Sequence, residues 1–160
     1  MEERSNFERM IALATDTFAV QNDPQQLDVD EEIIARLQHL HAATVSEYSE
    51  GNGPLIWVLL IPTTHQLMQD FLHKKIGETE LLEQTPPGST YHALYLCSAL
   101  TLPEYRNQGL TKKLTLKAIQ EIRAAHPIDT LFVWNFSQEG EALSHTIARE
   151  VNLPLLERTR

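Results

Sequence analysis

The sequence predicts a mixed α/β domain, and three observations carry that reading. Two apolar stretches, Leu55–Ile61 and Tyr91–Thr101, have the composition of buried strands. Around them lie segments whose apolar residues recur three and four apart, the spacing of an amphipathic helix. Breaks rich in Gly, Pro and Asn separate the two kinds of segment. Strands that alternate with helices imply a layered α/β core. The 160 residues fit one domain, 1–160, with no repeat, low-complexity tract or long linker.

In order along the chain, Ser5-x-x-Glu8 has the form of a capping box. Phe7, Met10, Ile11, Ala14 and Phe18 then predict a first helix, which the turn Asn22-Asp23-Pro24 ends. Asp28 followed by Glu31 opens a second helix, with Val29, Ile33, Leu37, Leu40 and Thr44 along one stripe and Gly51-Asn52-Gly53-Pro54 as its stop. Leu55–Ile61 is a strand. Thr63-x-x-Gln66 caps a third helix, with Leu67, Met68, Phe71 and Leu72 facing inward. Thr79–Gln84 is a short helical turn and Pro86-Pro87-Gly88 a break. After the strand Tyr91–Thr101 comes a turn without apolar periodicity, Leu102–Gly109. Leu110, Leu114, Ala118, Ile122 and Ala125 predict a long amphipathic helix, which His126-Pro127 terminates. Thr130–Trp134 is a third strand, residues 139–151 a last helix, and Leu153–Leu156 an edge strand. Residues 1–90 thus read as a helix-rich half.

Composition narrows the function. Apolar residues make up 42% and charged residues 22%, as in ordinary globular proteins. The net charge of −9 argues against nucleic acid as a partner. The longest apolar run is too short to span a bilayer, and the opening MEERSNFERM lacks a signal-like apolar stretch. One cysteine, Cys97, cannot form an internal disulfide. The expectation is a cytoplasmic protein with no membrane partner. No metal is expected, because His39 and His41 point to different sides of a helix and the other histidines are scattered.

The charge is uneven. Residues 1–50 hold 11 acids against 3 bases, whereas residues 106–123 hold five bases against Glu121 alone. That basic stretch begins beside Gly109, where a strand passes through a turn into a helix. The first turn of a helix has backbone N–H groups without internal partners and carries the positive end of the macrodipole. Together these favour an anion, and phosphate is the usual guest. Gly109 allows close backbone approach. An isolated glycine here would do no more than ease a turn.

This glycine is not isolated. The run Thr101-Leu102-Pro103-Glu104-Tyr105-Arg106-Asn107-Gln108-Gly109-Leu110-Thr111 resembles the acetyl-CoA motif of the GNAT N-acetyltransferase superfamily. That motif is an aliphatic strand end, then x-Pro-x-x-Arg, then (Gln/Arg)-x-x-Gly-x-(Gly/Ala) and a long helix. Pro103, Tyr105, Arg106 and Gly109 match in register. The resemblance covers Tyr91–Arg123 well and 129–151 more loosely. It implies a GNAT-like three-layer fold: a mixed central sheet flanked by helices, with splayed strands forming a CoA cleft. Residues 91–160 would be the CoA-binding half and 1–90 a divergent acceptor half. It also implies acetyl-CoA as co-substrate and a primary amine, small molecule or peptide, as acceptor. Backbone groups of Leu100, Thr101 and Leu102 would pair with the pantetheine arm. Asn107, Gln108, Gly109, Leu110, Thr111 and Lys112 would hold the pyrophosphate, with Arg106 opening the loop. The family's habit of dimerising implies a homodimer as one option.

The sequence departs from the family pattern in places. Thr111 stands where the family has Gly or Ala, so its methyl either crowds the loop or its hydroxyl meets a phosphate oxygen. The expected strand carries no carboxylate, and the last helix has no tyrosine. Acyl transfer to an amine needs a proton acceptor, and the departing thiolate profits from an acid. The candidates are Tyr95 on the motif strand, Asn135 at the next strand end, and Ser144 in the last helix. Trp134 and Cys97 read as core, and no nucleophile–base pair for an acyl-enzyme is evident. The leading reading is an acetyl-CoA-dependent N-acetyltransferase working by direct attack. The alternatives are a silent GNAT-like domain that binds CoA or acyl-CoA, and an interaction domain for a protein partner with a vestigial loop.

Overall fold

The computed structural model describes residues 6, 8–13, 27, 31–106, 108–135 and 137–159. Five strands form one mixed sheet in the order β1-β2-β3-β4-β5, flanked by helices. They are β1 (Val45–Glu50), β2 (Gly53–Thr63), β3 (Ala93–Thr101), β4 (Thr130–Val133) and β5 (Leu155–Glu157). The helices are α1 (Glu31–Leu40), α2 (His65–Leu72), α3 (Glu78–Gln84), α4 (Leu110–Ala125) and α5 (Gln138–Val151), and residues 8–13 are also helical. The expected Ser5 cap, Phe7, Ala14, Phe18, the turn Asn22-Asp23-Pro24, the cap at Asp28 with Val29, and Asn107 lie outside the described residues.

The second helix is shorter than its apolar stripe implies. It stops at Leu40, a 3-10 turn covers Ala42–Thr44, and residues 45–50 form a strand instead. The reason is the hairpin: β1 runs antiparallel to β2, and Gly51 at φ 37° helps make the two-residue connection between the paired Glu50 and Gly53. β2 is buried along nearly its whole length, which is why it reads as an unbroken apolar run. The cap of α2 is Thr64 rather than Thr63. The Thr64 hydroxyl accepts from the Leu67 N–H, while Thr63 closes β2 and bonds the Thr85 hydroxyl.

Two irregularities shape the centre of the sheet. β3 pairs with β2 through a bulge: Leu59 faces Ser98 and Leu60 faces Leu96, so Cys97 is an extra residue in β3. β3 and β4 are parallel, but they pair only at Ala93–Thr130, Leu94–Leu131 and Tyr95–Phe132. β4 ends at Val133, whereas β3 runs on to Thr101. The core below this separation is aromatic. Phe71 of α2 meets Tyr95 at 4.8 Å, Phe132 at 5.8 Å and Trp134 at 6.1 Å between ring centroids. The buried guanidinium of Arg158, just after β5, lies 4.7 Å from the Phe71 ring and 4.2 Å from that of Trp134. Among the described residues no helix is long and apolar enough to cross a membrane.

Candidate functional site

A cleft of about 740 Å³ occupies the space where β3 and β4 part. Val58–Leu60 of β2 and Leu96–Thr101 of β3 line one side. Val133–Asn135 and the α5 residues Gly140, Ser144 and Ile147 line the other. Arg106, Gln108, Gly109, Thr111 and Lys112 lie at the end formed by the start of α4. Beyond Tyr95 the β4-facing edge of β3 has no strand opposite it among the described residues. Its backbone N–H and C=O groups are therefore able to pair with an extended ligand.

Gly109 is the N-cap of α4, at φ 76° and ψ 2°, a conformation other residues rarely adopt. A Cβ there would meet no atom of the described residues within 4 Å, so the glycine serves the turn and leaves space before the helix end. The Lys113 N–H donates back to the Gly109 carbonyl, which leaves the preceding first-turn N–H groups facing outward. Thr111 does not crowd this loop: its hydroxyl bonds the Thr101 hydroxyl at 2.6 Å and ties the helix start to the end of β3. Arg106 Nε donates to the Thr101 carbonyl at 3.1 Å, and Lys112 pairs with Glu150 at 2.9 Å. Leu100 and Thr101 line the cleft, where the motif implies the pantetheine arm. The Leu102 N–H instead donates to the Leu55 carbonyl, so it extends the β2 side of the sheet. Leu110 opens the helix but is not among the lining residues.

The polar candidates separate. Ser144 and Asn135 both line the cleft. The Ser144 hydroxyl donates to the Glu141 carbonyl, and the Asn135 amide donates to Glu157 at 3.4 Å. Nearby, His145 pairs with Glu157 at 2.8 Å, and ligand atoms of Glu141, His145 and Glu157 lie within 4.8 Å of one another on the exposed side of α5. Tyr95 is fully buried and does not line the cleft. Its hydroxyl donates at 2.6 Å to Glu78, a residue that no sequence pattern singles out.

Glu78 begins α3 and is only 5% exposed, yet it lines the cleft beside Leu27 and Cys97. Oε1 accepts from the Leu27 N–H at 2.7 Å. Oε2 accepts from the Tyr95 hydroxyl at 2.6 Å and the Cys97 thiol at 3.6 Å. Burial raises the pKa of Glu78 above the ordinary carboxylate value, against the lowering by these donors and by the charge of Arg158. Burial, followed by the charge of Glu78, pushes Tyr95 and Cys97 well above their usual values. Both are therefore neutral donors near pH 7, and Cys97 is a thiol rather than a nucleophilic thiolate.

The shift has a measurable consequence. Between the unfolded and the raised folded pKa of Glu78, the native state binds more protons than the unfolded chain, so stability falls as pH rises through that window. The difference in urea-unfolding free energy between wild type and Glu78→Gln is expected to carry this slope above the ordinary carboxylate pKa and to flatten at higher pH. A pH-independent difference would contradict it.

The sequence offers no signal for Glu78, because its partners come from residues 27, 95 and 97. No protein-family model, curated protein or solved structure matches the chain.

Proposed function

We propose that this protein is an acetyl-CoA-dependent N-acetyltransferase of the GNAT type, in which a primary amine attacks the thioester directly. The parting of β3 and β4 beside the α4 N-terminus carries the reading. That one feature supplies an unpaired strand edge for the amides of the pantetheine arm and a set of helix N–H groups for the diphosphate. Arg106 and Lys112 add positive charge at the same end. Arg106 leaves the Thr101 carbonyl to meet the phosphates, and the Thr101–Thr111 bond keeps the loop in shape. Cys97 as a neutral thiol favours direct attack over an acyl-cysteine. The setting is cytoplasmic, with Cys97 as a free thiol.

The test is calorimetric titration of acetyl-CoA into wild type, Gly109→Ala and Gly109→Glu. Wild type binds. Gly109→Ala is expected to fold, because a Cβ meets no atom of the described residues within 4 Å and only the positive φ is strained, and to weaken binding less than Gly109→Glu. Gly109→Glu sets a carboxylate against the diphosphate, a like-charge contact expected to weaken affinity by about 100-fold or more. Absence of binding to wild type would remove the reading. Binding without turnover of any amine would support a silent CoA-binding domain instead.

A further inference from the structure

The cleft has a second chemical pole, away from the α4 N-terminus. Cys97, which touches Glu78, lies four residues back along β3 from Thr101. At the rise of a strand this is about 13 Å. A carboxylate offers roughly four acceptor positions. Glu78 uses two on Oε2 and one on Oε1 among the described residues, so the open position is on Oε1. The group is also held in place. Tyr95, which fixes Oε2, packs at 4.8 Å against Phe71 and 5.0 Å against Phe132. The described residues lining the cleft include Leu13, Leu27, Leu60 and Leu96, with Ser98 following Cys97.

On the acetyltransferase reading, we infer that the acceptor is a monoamine with an apolar body, whose ammonium group docks on Glu78 Oε1 and gives up a proton there. One fixed carboxylate matches one ammonium. The other carboxylate in the described lining is Glu139, at the start of α5. A second ammonium beside Glu78 finds no further open acceptor position there, and a carboxylate on the acceptor would face Glu78, so both are disfavoured.

The ammonium proton passes to Glu78. The freed nitrogen lone pair forms the N–C bond at the thioester carbonyl. The C–S bond breaks with its electron pair leaving on sulfur, and a second proton from nitrogen neutralises that thiolate. Glu78 then returns its proton to water. The products are the N-acetyl amide, CoA thiol and one proton. Burial of Glu78 moves its proton affinity in the direction that suits a general base.

The experiment measures acetylated product by mass spectrometry for hexylamine, 2-phenylethylamine, spermidine and leucine, with acetyl-CoA binding followed separately by calorimetry. Hexylamine and 2-phenylethylamine are expected to exceed spermidine and leucine by at least about tenfold in kcat/KM, since misplaced charges are excluded. Glu78→Gln is expected to lower kcat/KM for hexylamine about 100-fold or more, to remove the rising limb of the pH profile, and to leave acetyl-CoA affinity within about threefold. A preference for spermidine or leucine would overturn the inference, and that comparison needs only the wild type. So would Glu78→Gln at wild-type rate, or a wild type that binds acetyl-CoA yet acetylates neither apolar amine. A wild type that does not bind acetyl-CoA would remove both the acetyltransferase reading and the inference built on it.

Discussion

Phe71→Ala is expected to destabilise the protein by about 3–5 kcal/mol, the usual cost of emptying a large aromatic site in a core. Phe71 is fully buried, and its ring contacts Tyr95, Phe132 and Trp134 edge-on while the Arg158 guanidinium covers it. These neighbours come from β3, from β4 and its end, and from the C-terminal segment, so no single side chain can relax into the space. For a chain of this length the melting temperature should fall by roughly 6–20 °C. Urea unfolding gives the free energy directly, and a loss below about 1 kcal/mol would mean that the site collapses around the cavity. Tyr95 would also lose its packing partner, so Glu78 should become less well held. On the proposed acetyltransferase reading, acetylation of hexylamine should therefore slow even under conditions where the variant stays folded.

Arg158→Ala is expected to cost about 3 kcal/mol. A desolvated cation over an aromatic face contributes about 2 kcal/mol, and here two faces flank one guanidinium. Its NH1 group also donates at 2.9 Å to the Ile76 carbonyl, whose loss of a buried partner adds about 1–3 kcal/mol. These terms overlap, so their plain sum would overcount. Arg158→Lys keeps the charge without the planar fork and should recover only part of the loss. The two variants separate packing from charge in another way. The positive charge of Arg158 holds down the proton affinity of Glu78. If the proposed reaction with Glu78 as base holds, Arg158→Ala should therefore move the rising limb of its pH–rate profile upward, and Arg158→Lys should move it less. Unfolding curves for both variants that coincide with wild type would refute the stabilising role.

How much of the molecule is legible in the sequence depends on how local each feature is. The strand β2 is readable because Leu55–Ile61 is buried on both faces, and a strand of that kind leaves a continuous apolar run. The start of α4 is readable for the same reason of locality: proline, arginine and glycine sit within a few residues and act through backbone geometry. β1 is not. Its apolar residues, Val45 and Tyr48, are three apart and so extend the helical stripe of α1, and only pairing with β2 makes them a strand. The cap of α2 falls one residue away from its expected place because Thr63 and Thr64 are chemically alike and only the end of β2 distinguishes them. Glu78 is the least legible. Nothing beside it in sequence marks it, and its character comes from Leu27, Tyr95, Cys97 and Arg158 brought together by the fold. Tyr95 is legible as a polar group on β3, but it is buried and its hydroxyl holds Glu78 Oε2.

The extra residue at Cys97 has a consequence for how this strand can change. In a regular strand Tyr95 and Thr101, six apart, would present the same face. Here the hydroxyl of Tyr95 reaches Glu78 and that of Thr101 reaches Thr111, with the bulge resetting the alternation between them. The segment therefore behaves like a parity code. Losing or gaining one residue between these positions would invert every face downstream, however conservative the residue lost. A two-residue change would keep the faces but shift the spacing between the carboxylate and the helix start. Substitution is thus the permissive route of variation along β3, and length is the forbidden one.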